Sequence, residues 1–70
     1  MTEIRAEIAA NVWQVNVEVG QDVAAGETVA ILESMKMEIP VEAPVGGRVS
    51  EVKVAPEDKV QEGDVIAVIE

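Results

Sequence analysis

Val23-Ala24-Ala25-Gly26-Glu27-Thr28-Val29-Ala30-Ile31-Leu32-Glu33 returns as Val60-Gln61-Glu62-Gly63-Asp64-Val65-Ile66-Ala67-Val68-Ile69-Glu70, without a gap and 37 positions later. In each copy a glycine followed by an acid marks a tight reversal that needs φ > 0. The short apolar run after it, ending in an acid, marks a strand covered on more than one side. Upstream, the same shift pairs Val12 with Val49, Val15 with Val52 and Val17 with Val54, and further back Ile4 with Val41, Ala6 with Ala43 and Ile8 with Val45. Residues 3–33 and 40–70 are thus two versions of one unit, joined by residues 34–39, and residues 1–70 are expected to form one domain.

Period-two alternation in Glu3-Ile4-Arg5-Ala6-Glu7-Ile8, Trp13-Gln14-Val15-Asn16-Val17-Glu18-Val19 and Val52-Lys53-Val54 predicts half-buried strands. Twenty residues are Val or Ile, against one Trp and no Phe or Tyr, a supply of β-branched side chains that suits a pleated surface and not a helix. Ala43-Pro44-Val45-Gly46-Gly47 predicts a further turn, with Pro fixing φ and the glycines permitting close approach or a bulge. One repeat alone would expose an apolar face and unpaired strand edges, whereas two copies facing each other cover both. The chain is therefore expected to be all-β: a small sandwich or flattened barrel with approximate two-fold symmetry. That symmetry sets the connector and the chain termini at opposite ends of the body.

Composition removes several kinds of chemistry. The chain has no cysteine and no histidine, which excludes a disulfide framework, a thiol nucleophile, most zinc sites and the usual general base near neutral pH, so no metal site is expected. The chain runs from Met1 directly into an alternating segment, and no apolar run approaches the length of a membrane span, so neither a signal peptide nor a membrane helix is expected and the cytoplasm is the expected location. Fourteen carboxylates against five cations give a net charge of −9. That surface repels phosphate backbones and anionic lipid, which argues against nucleic acid and membrane partners. It is expected to keep the chain soluble and to resist self-association, consistent with a monomer, or else to serve a cationic docking partner.

The connector breaks local rules. Two-residue hairpin loops favour Asn-Gly, Asp-Gly or other pairs that accept φ > 0, yet this tip offers Ser34, Met35, Lys36 and Met37. Rules broken without structural gain mark functional positions. Counting from Ile39, Val41 and Ala43 puts Met37 on the inward phase and Lys36 on the outward one, so Lys36 is expected solvated at a free tip. Lys36 is one of only three lysines, and thioether side chains on either side of it suit a surface that another protein must grip.

Glu33-Ser34-Met35-Lys36-Met37-Glu38 resembles the attachment motif of the biotinyl/lipoyl domain family, and Ala43-Pro44-Val45-Gly46-Gly47-Arg48-Val49 resembles the turn and strand that follow it there. The resemblance covers nearly the whole chain, including the repeat and the Gly26 and Gly63 turns. The length suggests a stand-alone biotin carboxyl carrier-like member without the thumb insertion. The resemblance implies a barrel-sandwich hybrid of two four-stranded sheets with Lys36 on an exposed hairpin. It implies that a biotin protein ligase joins biotin to the Lys36 amine from biotinyl-AMP, recognising Glu33, Ser34, Met35, Met37 and Glu38. It further implies that biotin carries a carboxyl group from a biotin carboxylase site, where ATP and bicarbonate are used, to a carboxyltransferase site. The chain would then be a carrier and not an enzyme, with no catalytic residue of its own. Ser34 stands where the family commonly has Ala, and in the second repeat Pro56 and Glu57 take the places of Val19 and Gly20, so that turn is expected to depart from a symmetric copy.

Three other readings compete. A lipoyl carrier would use the same fold and the same lysine, with lipoate in place of biotin, but lipoyl motifs usually place an acid before the lysine and lack the paired methionines. An unmodified interaction module would use the tip only to bind a partner. An enzyme would have to draw acid and base from Glu33 and Glu38, at a tip that offers little burial. Trp13, which aligns with Ser50 across the repeat, shares the apolar phase of Val15 and Val17 and is expected to pack in the core, with contact to a ligase or cofactor as the lesser alternative.

Overall fold

The computed structural model covers residues 1–70 and contains eight strands and no helix: β1 Thr2–Arg5, β2 Ala10–Val15, β3 Asp22–Val23, β4 Thr28–Ser34, β5 Met37–Glu42, β6 Gly47–Val52, β7 Lys59–Val60 and β8 Val65–Ile69. They form two four-stranded sheets in the orders β1-β8-β6-β3 and β5-β4-β2-β7. All pairings are antiparallel. The expected all-β flattened barrel of two such sheets is what forms. The repeat explains the order: moving β2 and β3 by 37 residues gives the bounds of β6 and β7, and the same move turns one sheet's strand order into the other's.

The repeat extends to the irregularities. Bulges fall at Val29 in β4 and at Ile66 in β8, where the pairing passes over one residue, and again at Trp13 in β2 and Ser50 in β6. A bulge sets two residues against one and resets the inside-outside phase. This accounts for the continuous apolar runs, because Val29 with Ala30, and Ile66 with Ala67, are consecutive and both buried. These four lie in a cluster that also holds Val12, Val49, Leu32 and Ile69, with Ile39 and Val41 packed against it.

Three strands are shorter than alternation suggests, β6 among them, which ends at Val52 and leaves Lys53 and Val54 outside it. β1 stops at Arg5, before Ile8, which is exposed, and β2 stops at Val15, although Val17 remains buried. The Gly26 and Gly63 turns do require the left-handed region, with φ of 87° and 91°. Gly47 is the close approach foreseen for its turn: a Cβ there would lie 2.6 Å from Ile69 Cγ2 and closer still to the Glu70 carbonyl oxygen.

The turn at Pro56-Glu57 corrects the expectation of asymmetry. Glu57 N–H donates to Val12 O at 2.7 Å and Val12 N–H to Asp58 O at 2.7 Å. In the first repeat Gly20 N–H donates to Val49 O at 2.8 Å and Val49 N–H to Gln21 O at 2.9 Å, so the backbone is the same. Main-chain bonding to the neighbouring strand outweighs the side-chain preference, and Glu57 is held at φ 76° where the other repeat has Gly20 at 92°.

Candidate functional site

The β4–β5 hairpin carries the Met-Lys tip. Its register runs from Thr28 opposite Glu42 through Leu32 opposite Ile39 and Glu33 opposite Glu38 to Ser34 opposite Met37, leaving Met35 and Lys36 as a two-residue loop. Both loop residues have positive φ, 52° and 65°. That is the type I′ requirement, met here without Asn or Gly. For residues with a Cβ the left-handed region costs about 1–2 kcal/mol each, which the paired arms of the hairpin must offset.

All six residues named from the sequence come together at this tip. Glu33, Met35, Lys36, Met37 and Glu38 are exposed and Ser34 is partly buried. Met35 is 88 % exposed, so burial plays no part in its presence. Met37 corrects the phase expectation: it is 60 % exposed, because the hairpin runs past Ile39, the last residue of this arm that packs on the core. Glu33 and Glu38 face each other across the strands, a like-charged pair that works against the hairpin.

Lys36 is free of local partners. Arg5 pairs with Glu3, Arg48 with Asp22 and Lys53 with Glu51, whereas Lys36 has no carboxylate within 4 Å. Its amine is thus unpaired and exposed to solvent, while the turn beneath it is fixed by strand pairing. The free end of the other half, where Thr2 pairs with Ile69, occupies the place equivalent to the Leu32–Ile39 end of this hairpin.

Trp13 is the clearest miss of sequence reading. It is 45 % exposed and not in the core, because the bulge between Val12 and Gln14 takes it out of the phase of Val15 and Val17 and gives Val12 the inward place. The signal that could have found this was its alignment with Ser50, a residue equally at home on a surface. Trp13 lines a shallow groove with Asn11, Val12, Glu33 and Glu57.

Known proteins resemble this chain in sequence and in fold. The profile of the family described as "Biotin-requiring enzyme" matches residues 2–69. The chain is 52 % identical over 67 residues to the biotinylated protein TB7.3 homolog of Mycobacterium leprae (strain TN), covering 96 % of this chain and 94 % of that one. It is 49 % identical over 63 residues to the biotin/lipoyl attachment protein of Bacillus subtilis (strain 168), covering 90 % and 86 %. Among solved structures, the urea carboxylase of Kluyveromyces lactis contains a region that superposes with a TM-score of 0.92 at 35 % identity, over 99 % of this chain and 6 % of that one.

Proposed function

The chain belongs to the biotinyl/lipoyl attachment family, and on that premise we propose that it is a biotin carrier whose Lys36 amine holds the cofactor through an amide bond. The observation that carries this reading is the placing of an unpaired, exposed lysine on a turn whose two residues both sit in the left-handed region. A loop chosen for stability would place Asn or Gly there. Met35 and Lys36 therefore answer to something other than the fold.

The residues suit attachment by a ligase. The unprotonated Lys36 nitrogen attacks the acyl carbon of biotinyl-AMP, a C–N bond forms, the acyl–phosphate C–O bond breaks and AMP leaves, and the proton lost from the amine passes to solvent. Glu33, Ser34, Met35, Met37 and Glu38 form the surface the ligase would grip around that nitrogen. Biotin, once held, supplies a ring that takes up and gives off a carboxyl group. The chain's own part is placement: tethering turns a diffusing cofactor into a local reactant at each site it visits.

On this reading the partners are a biotin protein ligase and the biotin carboxylase and carboxyltransferase of a carboxylase. We read the chain as a carrier without catalysis of its own, acting as one 70-residue domain, monomeric and cytoplasmic. The relatives named for biotin, and the match inside a urea carboxylase, support that choice over an unmodified module. Met35 and Met37 favour biotin over lipoate.

Intact-mass measurement of the chain taken from its own cell tests the reading. The expected result is one biotinyl increment, absent after Lys36→Arg. A lipoyl increment would replace biotin with the second cofactor, and an unmodified mass with partner binding that survives Lys36→Arg would replace the carrier with an interaction module.

A further inference from the structure

Two residues that break the internal repeat meet at one place on the surface. Trp13 stands where the other repeat has Ser50, and Glu57 where it has Gly20. Both line the groove that also contains Glu33, a residue of β4 three positions before Lys36. Where two copies share backbone, bulge and hydrogen bonds, the side chains that differ are those the fold does not dictate. Here both differences raise the cost of the fold. Trp13 is the chain's one aromatic side chain and is left 45 % exposed. Glu57 is kept at φ 76°, where a glycine would sit without strain.

The chemistry of the groove is specific. An exposed indole face attracts a cation through its quadrupole, more often a guanidinium than an ammonium. Glu33 and Glu57 supply two carboxylates beside it, and neither has a cation within 4 Å in the chain. A planar guanidinium can stack on the indole and direct its fork of N–H donors to a carboxylate. The backbone that carries Glu57 is fixed: its N–H donates to Val12 O, and its turn is closed by Ala55 N–H donating to Asp58 Oδ2 at 2.8 Å.

We infer that the groove formed by Trp13, Glu33 and Glu57 receives an arginine side chain of the enzyme that acylates Lys36, an inference that rests on the carrier reading. Trp13 lies in β2 between the partners of Leu32 and Ile31, four to five residues back along β4 from Lys36, about 15 Å at the rise of a strand. Before acylation only the four-carbon stem of the lysine separates its nitrogen from the turn, so the acylating enzyme has to come down close against the hairpin. After acylation the arm is longer and a visiting site need not come so near. Opposite charge across such a contact speeds encounter and sets orientation. The net charge of −9 suits a basic partner in general, and the groove gives that attraction one address.

The test is steady-state acylation of Lys36 by the biotin protein ligase of the same cell, with KM and kcat measured separately for the wild type, Trp13→Ala, Trp13→Phe and Glu57→Gly. Trp13→Ala is expected to raise KM about tenfold with kcat unchanged, a loss typical of an anchoring Trp contact. Trp13→Phe, which keeps an aromatic face, restores part of it. Glu57→Gly serves as the control against misfolding, since it relieves the left-handed strain: it should melt at a higher temperature than the wild type and yet raise KM several-fold. That difference in KM should shrink at high salt. A KM within twofold of wild type for both Trp13→Ala and Glu57→Gly overturns the inference and leaves the carrier reading in place. A wild-type chain that the ligase does not acylate removes both.

Discussion

At Gly47 the second repeat leaves no room for a methyl group. A Cβ would press on Ile69 Cγ2 and on the Glu70 backbone at the point where β6 passes the end of β8. Gly47→Ala is therefore expected to destabilise the chain by about 1–3 kcal/mol, the usual cost of overpacking. At Gly46 the nearest heavy atom to an added Cβ is 3.4 Å away and the backbone is not left-handed, so Gly46→Ala should lie close to neutral. Paired thermal melts check this, since 1 kcal/mol moves the midpoint of a domain this small by about 4–8 °C. Equal midpoints for the two variants would contradict the assigned close approach. Sequence alone supplied the positions of these glycines and the idea of a close approach, but not which glycine makes it. It erred at Trp13 for a related reason. Alternation is a rule about phase, and at Trp13 a bulge resets that phase.

Within the β4–β5 hairpin the unusual residues were readable and their geometry was not. Ser34-Met35-Lys36-Met37 stood out as a poor turn sequence, and the tip and its exposed lysine followed from the repeat. The inward phase given to Met37 failed because counting residues says nothing of where the facing sheet ends. The left-handed pair at Met35 and Lys36 could not be read, since no residue there asks for φ > 0. That pair makes the hairpin less stable than it could be. Met35→Asn places a residue that tolerates the left-handed region in the same loop and should raise stability by about 1 kcal/mol. The melting temperature is expected to rise and, on the proposed carrier reading, acylation of Lys36 to slow, because a thioether that the ligase would grip has gone. A melting temperature unchanged or lowered by Met35→Asn would show that the turn carries no such cost.

For the molecule as a whole, the repeat foretold two sheets and a pseudo-dyad but not how the halves share them. Each sheet takes two strands from each half. β1 pairs only with β8, β3 only with β6, β5 only with β4 and β7 only with β2. Of these, β1–β8, β3–β6 and β7–β2 join the halves, and β5–β4 spans the connector itself. Cutting the chain between Met35 and Lys36 would leave the first half with the β2–β4 pair alone and the second with β6–β8 alone. A lone two-stranded ribbon is marginally stable at best in water. The buried cluster would also be divided, with Val12, Val29 and Leu32 on one fragment and Val49, Ile66 and Ile69 on the other. Residues 1–35 and 36–70, prepared separately, are therefore expected to lack a cooperative unfolding transition and to regain strand signal in circular dichroism only on mixing. The intact chain should unfold in urea in one transition that different probes report together, as two-state domains do. If the 1–35 fragment unfolded cooperatively by itself, the exchange of strands between the halves would not be what holds the barrel closed, and the hairpin would stand on one self-sufficient half.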